Sequence, residues 1–267
     1  MKKIITILAV LTVAASAFAG SWADGLYFAQ EDEFAGNGWK YNVTITVDNG
    51  RITEANWNGT NVAGGPDKKT ASKAGNYPMV ERGGAQSDWH VQAEKAEAYL
   101  LRTQDPTRIS YKDDEGHTDA ISGVSIHVIE FFSLAEEALE SAPVARGRYR
   151  DGYYQAEEAQ FAGSGWKYFA QYTVVNGTVV QVNWNGINKD GGDTKKVASK
   201  AGNYPMVERG GAQSDWHVQA AVVEDYFLAN RGRAPRFTDD GHTDAIAGAS
   251  VSVESIFKLA DESLRRR

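Results

Sequence analysis

No cysteine occurs anywhere in the 267 residues. That excludes disulfides, thiolate metal sites, thiol catalysis and a lipid-bearing cysteine, so stability has to come from packing. Positive charge is also scarce: 28 lysines and arginines stand against 35 aspartates and glutamates, a formal charge of −7. Nucleic-acid binding needs clustered positive charge to displace counterions, and no long basic patch is present. Arg265, Arg266 and Arg267 read as a solvated helix end, where their charge suits the C-terminal dipole. Beyond the first residues no run is apolar enough to span a membrane. Several chemical motifs are missing as well. There is no HxH or HExxH spacing for a metal, and no nucleophile elbow. Ser87, Asp88 and His90 lie too close along one helix to form a triad. No glycine-rich dinucleotide fingerprint follows a strand, which argues against direct use of NADH. Neither a metal nor a catalytic residue is therefore assigned.

What is present suffices for folded cores: 42% of residues are hydrophobic and 11% aromatic. Lys2 and Lys3, an apolar stretch from Ile4 to Ala15, and Ala17-Phe18-Ala19 together fit a bacterial export signal of residues 1–19, cut after Ala19. Removing those two lysines takes the formal charge from −7 to −9. The expected location is the periplasm or the outside of the cell, without a lipid anchor.

An internal repeat organises the rest. Asp24-Gly25-Leu26-Tyr27 recurs as Asp151-Gly152-Tyr153-Tyr154, Gly38-Trp39-Lys40-Tyr41 as Gly165-Trp166-Lys167-Tyr168, and Asn56-Trp57-Asn58-Gly59 as Asn183-Trp184-Asn185-Gly186. Ala71 to Ala93 recurs without a change as Ala198 to Ala220. A ligand contacted by both copies, or a recent duplication, would each account for that identity. A period this long indicates two domains, 20–145 and 146–267, rather than a solenoid.

Within a copy, Tyr41, Val43, Ile45 and Val47 alternate with polar residues, as in a strand with one buried face. Asn49-Gly50 predicts a tight hairpin, Arg51 to Trp57 the returning strand, and Gly25 to Gln30 a strand alongside. Asn58 to Thr70 reads as a glycine-rich loop. A helix capped by Ser87 is expected to run to about Leu101, burying Trp89, Ala93, Ala96 and Leu100. A last helix is expected to begin near Ser125 and to bury Val128, Phe131, Phe132, Ala135 and Leu139. The expected fold class is α+β: two tandem repeats, each a small antiparallel sheet with packed helices.

The segment Asp119-Ala120-Ile121-Ser122-Gly123-Val124-Ser125, repeated as Asp244-Ala245-Ile246-Ala247-Gly248-Ala249-Ser250, is a small-residue loop leading into a helix. Unpaired N–H groups at a helix start suit a phosphate, and glycine lets it approach the backbone. An ordinary serine cap is the plainer reading of the same residues. This pattern resembles the Asp-Gly-x-Ser-Gly-Ala-Thr motif of the bacterial FMN-binding domain family. The Asp-Gly-x-Tyr opening, Gly-Trp-Lys, the Asn-Gly hairpin and Lys-x-x-Ser-x-x-Gly-x-Tyr at Lys69 to Tyr77 resemble that family in the same order. Exported tandem members include pheromone-precursor-type lipoproteins and spirochaete membrane immunogens.

The resemblance implies FMN as cofactor. It also implies esterification of the FMN phosphate to Ser125 and Ser250 by a flavin transferase, although the family usually carries threonine there. Asp119, Asp244, Ser122, Gly123, Gly248 and Ala249 would then surround the phosphate, and the two aspartates either take Mg²⁺ during flavin transfer or cap a turn. Tyr77, Met79, Tyr204 and Met206 offer faces for the flat, largely apolar flavin. Trp89 and Trp216 are available too, although Trp89 reads as core. Lys69 and Lys196, with Lys73, Arg82, Lys200 and Arg209, offer positive charge to phosphate or reduced flavin. The implied function is an exported electron carrier served by a membrane reductase or another redox protein. The alternative is a non-redox binding module that has the fold without the cofactor.

Overall fold

The period-two alternation does form a strand, and two copies of one meander follow. The computed structural model describes residues 22–265; the expected export signal lies outside them. In the first copy β1 (Gly25–Gln30), β2 (Trp39–Asp48) and β3 (Arg51–Asn61) form an antiparallel sheet in the order β1-β2-β3. Asn49 and Gly50, with φ of 51° and 68°, make the hairpin turn that the Asn-Gly pair predicts. The returning strand continues to Asn61, four residues past Trp57, because Gly59 to Asn61 still pair with Trp39 to Tyr41. Helices α1 (Lys68–Lys73), α2 (Met79–Gly83), α3 (Trp89–Thr103) and α4 (Ile129–Glu140) follow. The second copy repeats the order: β4 (Gly152–Glu157), β5 (Trp166–Val175), β6 (Thr178–Asn188), then α5 (Lys195–Lys200), α6 (Met206–Gly210), α7 (Trp216–Ala229) and α8 (Glu254–Ser263). The fold is α+β in two similar halves. Among the described residues no helix is long and apolar enough to cross a membrane.

Each half closes its own core between one sheet face and its two longer helices. In the first, Val43, Ile45 and Trp57 from the sheet meet Trp89, Ala93, Ala96 and Leu100 of α3 and Phe131, Phe132 and Ala135 of α4. Trp57 lies 5.1 Å from Trp89 and 5.4 Å from Phe131, centroid to centroid. Burying each such ring contributes about 1.5–3 kcal/mol. The second core is built alike around Trp184, Trp216, Phe227 and Phe257.

Two expected helix starts are corrected. Ser87 is not the cap of α3: Asp88 holds that position, its carboxylate accepting from Val80 N–H at 3.2 Å rather than capping the helix, and the Ser87 hydroxyl is buried without a partner. Helix α4 begins at Ile129, four residues after Ser125, and α8 at Glu254, four after Ser250. The preceding loop is held elsewhere, because Val128 N–H donates to the Gly116 carbonyl at 2.9 Å.

The outer, polar faces of the two sheets meet each other. Gln181 Oε1 accepts from Asn42 Nδ2 at 3.0 Å and Thr60 Oγ1 at 2.8 Å, across from the other half. Asn185 Nδ2 donates to the Val62 carbonyl at 2.8 Å, and Tyr153 OH to the Gly65 carbonyl at 2.8 Å. Asn42, Gln171, Gln181, Asn183 and Asn185 are all buried there. The connection between the halves lies pinned to both: Val144 N–H donates to the Leu26 carbonyl at 2.7 Å, and Asn176 Nδ2 to the Val144 carbonyl at 2.7 Å.

Candidate functional site

Two adjacent lysines at the start of α1 point to different partners. Lys69 Nζ pairs with Glu97 Oε1 at 2.6 Å and donates to Asn56 Oδ1 at 2.8 Å. Glu97 Oε1 also accepts from Trp57 N–H at 2.6 Å. Burial raises the Glu97 carboxyl above its ordinary range, and the Lys69 ammonium acts against that. The second half repeats the arrangement with Lys196, Glu224 and Trp184 N–H. Lys69 and Lys196 thus tie the sheet to the long helix.

Lys68, its neighbour, is fully buried in a cage of four aromatic rings. Its Nζ lies 4.5 Å from the centroid of Trp39, 4.9 Å from Tyr41, 4.1 Å from Tyr77 and 5.2 Å from Trp89. No hydrogen-bond acceptor reaches that nitrogen. Desolvation depresses its pKa to about 7, while Glu31 and Glu130 act in the opposite direction. The ring faces carry the negative side of their quadrupoles and favour the ammonium form. Lys195 occupies the same cage in the second half, 4.7 to 5.2 Å from Tyr168, Tyr204, Trp166 and Trp216. There Nζ also donates to Tyr168 OH at 2.7 Å, and its pKa falls to about 8, again by desolvation. Neither lysine stands out in the sequence. The available signal was the recurrence of Trp39, Tyr41, Tyr77 and Trp89 in the second copy, more aromatic surface than one small sheet needs.

One wall of this cage opens into a cavity of about 260 Å³. Tyr41, Tyr77, Met79 and Trp89 line it together with Asn37, Ser125, Ile126, His127 and Glu130. Three of the sequence-selected residues, Tyr77, Met79 and Ser125, thus come together from segments far apart in the chain. In the second half Tyr204 and Met206 pack at the edge of the core, as Tyr77 and Met79 do in the first.

The serine loop is latched from α3. Gln92 Oε1 accepts from Ser125 N–H at 2.7 Å, Ile126 N–H at 3.2 Å and Ser125 Oγ at 3.3 Å. Gln92 Nε2 donates to the Ser87 carbonyl at 2.8 Å. Gln219 holds Ser250 in the same way, at 2.7 Å from N–H and 3.3 Å from Oγ. Ser125 and Ser250 themselves remain exposed. Gly123 and Gly248 turn the loop with φ of 72° and 88°. Lys95 Nζ donates to the Gly123 carbonyl at 3.0 Å, and Ala249 N–H to the Ile246 carbonyl at 3.2 Å. Asp119 and Ser122 lie exposed outside the cavity, with Asp119 3.9 Å from Lys112; Asp244 is exposed as well.

No protein-family model and no curated protein matches the chain. Solved structures do. A protein of Clostridium thermocellum, determined by solution NMR, is 58% identical over 44% of this chain and 89% of its own, with a TM-score of 0.36. A crystal structure from Clostridium perfringens is 24% identical over 45% of this chain and 88% of its own, also with a TM-score of 0.36.

A second cleft, of about 310 Å³, lies between the halves and is lined by Asn42, Thr44, Asn58, Asp67, Asp151 and Tyr153 among others. Histidines also converge outside the selected set. His117 and His127 pack edge to face, 4.4 Å between centroids, beside Glu115. His90 and His217 do not join them; each bonds a serine hydroxyl, Ser72 or Ser199, at 2.9 Å.

Proposed function

We propose that this chain is an exported FMN-binding electron carrier, with flavin tethered through the hydroxyls of Ser125 and Ser250. The observation that carries the proposal is one cavity lined by both Tyr77, Met79 and Trp89 and Ser125. A flat, largely apolar ring system suits such aromatic and methionine faces, and the exposed Ser125 hydroxyl lining the same cavity suits a phosphoester. Small-molecule sites usually enclose about 300–1,000 Å³. At about 260 Å³ the cavity would hold part of the ring and leave an edge open to solvent, which would bring it close to a docked redox partner.

The fit favours a covalent tether over a free phosphate site. The N–H groups of Ser125 and Ile126 already donate to Gln92, and the end of α4 lies further along the chain. A phosphate held only by backbone would have to displace that amide. When bound, FMN would supply the redox chemistry; the chain would supply orientation and partial shielding from water. The partners implied are a flavin transferase and a membrane reductase or other redox protein. The closed Gln92 and Gln219 latches also favour the rival reading, a non-redox binding module.

Expression of the full chain with its export machinery and a flavin transferase tests the proposal. Flavin fluorescence should stay with the protein through acid denaturation. Ser125→Ala and Ser250→Ala should each remove about half of it, and the double variant all of it, while the far-ultraviolet spectrum is unchanged. A colourless wild-type chain under these conditions, with no uptake of free FMN, would leave the binding module in its place.

A further inference from the structure

We propose that Glu115, His117 and His127 form a binding site for one divalent transition-metal ion of the zinc type, present in the first half alone. One ligand atom from each of the three lies within 4.8 Å of the others. Glu115 Oε2 is 3.9 Å from His127 Nε2. Tetrahedral zinc, with bonds of about 2.0–2.1 Å, sets its ligand atoms about 3.3 Å apart. Small side-chain rotations close that gap, because Glu115 and His127 are largely exposed. Two imidazoles and one carboxylate select zinc, or its neighbours in the first transition row, over calcium and magnesium, which prefer oxygen alone.

Further contacts have the form of a ligand-orienting shell. His117 Nδ1 lies 2.9 and 3.0 Å from the Asp113 carboxylate and 3.8 Å from Glu115 Oε2, so an ion taken by Nε2 would leave Nδ1–H on Asp113 as the orienting contact. Glu130 Oε1 lies 4.0 Å from His127 Nδ1. The backbone is fixed as well. Gly116, between Glu115 and His117, has φ of +88°, and a Cβ there would come within 2.4 Å of Ile129. Its carbonyl takes the N–H of Val128, the residue after His127. The two loops that carry the ligands are thereby stapled together.

The second half carries the same staple without the site. Gly241 has φ of +80°, its carbonyl takes Val253 N–H at 2.9 Å, and His242 Nδ1 lies 3.1 Å from Asp240. Ser252 stands where the first half has His127. The prediction is therefore one ion per chain. The proposal does not depend on flavin, although His127 also lines the cavity beside Ser125, so an ion there would sit at its mouth.

The test is calorimetric titration of the full chain with zinc chloride, after chelator treatment and without a histidine tag. One equivalent should bind, and cobalt(II) at the same site should give a visible ligand-field spectrum. His127→Ser should weaken binding at least tenfold and abolish that spectrum. The variant should fold, since the second half carries serine at that position, and an unchanged circular-dichroism melt would verify it. His117→Asn should also weaken binding at least tenfold, whereas His90→Asn and His217→Asn should leave it intact. No saturable binding by the wild-type chain, or equal binding by His127→Ser, would overturn the proposal.

Discussion

Lys68 sits where lysines seldom sit, with its ammonium against four ring faces and no acceptor within reach. The proton balance follows from its depressed pKa of about 7. Below pH 7 the amine is charged both folded and unfolded, and the folded state bears the whole desolvation penalty. Between about pH 7 and the unfolded value near 10.4, the unfolded chain holds a proton that the folded chain does not, so stability rises with pH. Lys68→Met should remove that dependence. The variant's advantage over wild type should be largest at pH 6 and shrink by pH 9, by an amount on the order of 3 kcal/mol, because only about two of the pH units between the folded and unfolded values are crossed by then. Urea unfolding at the two pH values measures it, and parallel pH profiles for the two proteins would refute it. Lys195 should behave alike over a narrower window, since its pKa falls only to about 8. The sequence hid this residue because adjacent lysines look alike in one dimension. Lys69, the residue the sequence singles out, and Lys68 lie side by side at the start of α1. Only the fold shows that Lys69 faces Glu97 and Lys68 the rings.

At the scale of elements, the long helices and the hairpins were legible and the joints were not. The apolar stripe of Val128, Phe131, Phe132, Ala135 and Leu139 is buried as the periodicity requires. The start of α4 was misplaced because a side chain 33 residues earlier in sequence, Gln92, occupies the N–H of Ser125, and no local pattern reports such a contact. The short helices α1 and α2 were hidden for a different reason. At six and five residues they are too short to show a period, and tertiary contacts hold them in place. The latch can be opened. Gln92→Ala should cost about 1–3 kcal/mol, toward the low end because solvent reaches the loop. Hydrogen exchange at the Ser125 and Ile126 amides should accelerate, while amides in β2 remain protected. Unchanged protection of Ser125 would show that the loop is held by something other than this amide.

For the whole molecule, the two halves meet through polar faces, and each keeps a closed apolar core. Separation would expose mainly amides and hydroxyls, which water satisfies. Residues 20–145 and 146–267 expressed alone are therefore expected to be soluble and to melt cooperatively. Each should melt below the joined chain, because Gln181, Asn42 and Thr60 lose one another. A half without a cooperative melt would show that the interface is needed for folding. Gln181→Ala in the full chain should cost about 1–3 kcal/mol by leaving Asn42 and Thr60 unpaired, and should cost less in the isolated second half, where only the Thr173 Oγ1 contact at 2.9 Å is lost.

That interface is lopsided. Gln181 and Asn183 are buried in it, yet their counterparts in the first copy, Glu54 and Asn56, are exposed. Asn42 corresponds to Phe169, which packs against Gly64. The duplicates have become lock and key, and neither can stand in for the other. A chain made of two first copies would present the Glu54 carboxylate where the neutral Gln181 amide now sits. The heredity of the two copies is constrained accordingly. Sequence can be exchanged freely between Ala71–Ala93 and Ala198–Ala220, which are already identical, but a swap running back into the strands would undo the fit. At the interface positions, that mutual fit is what a first-copy strand placed in the second half would break.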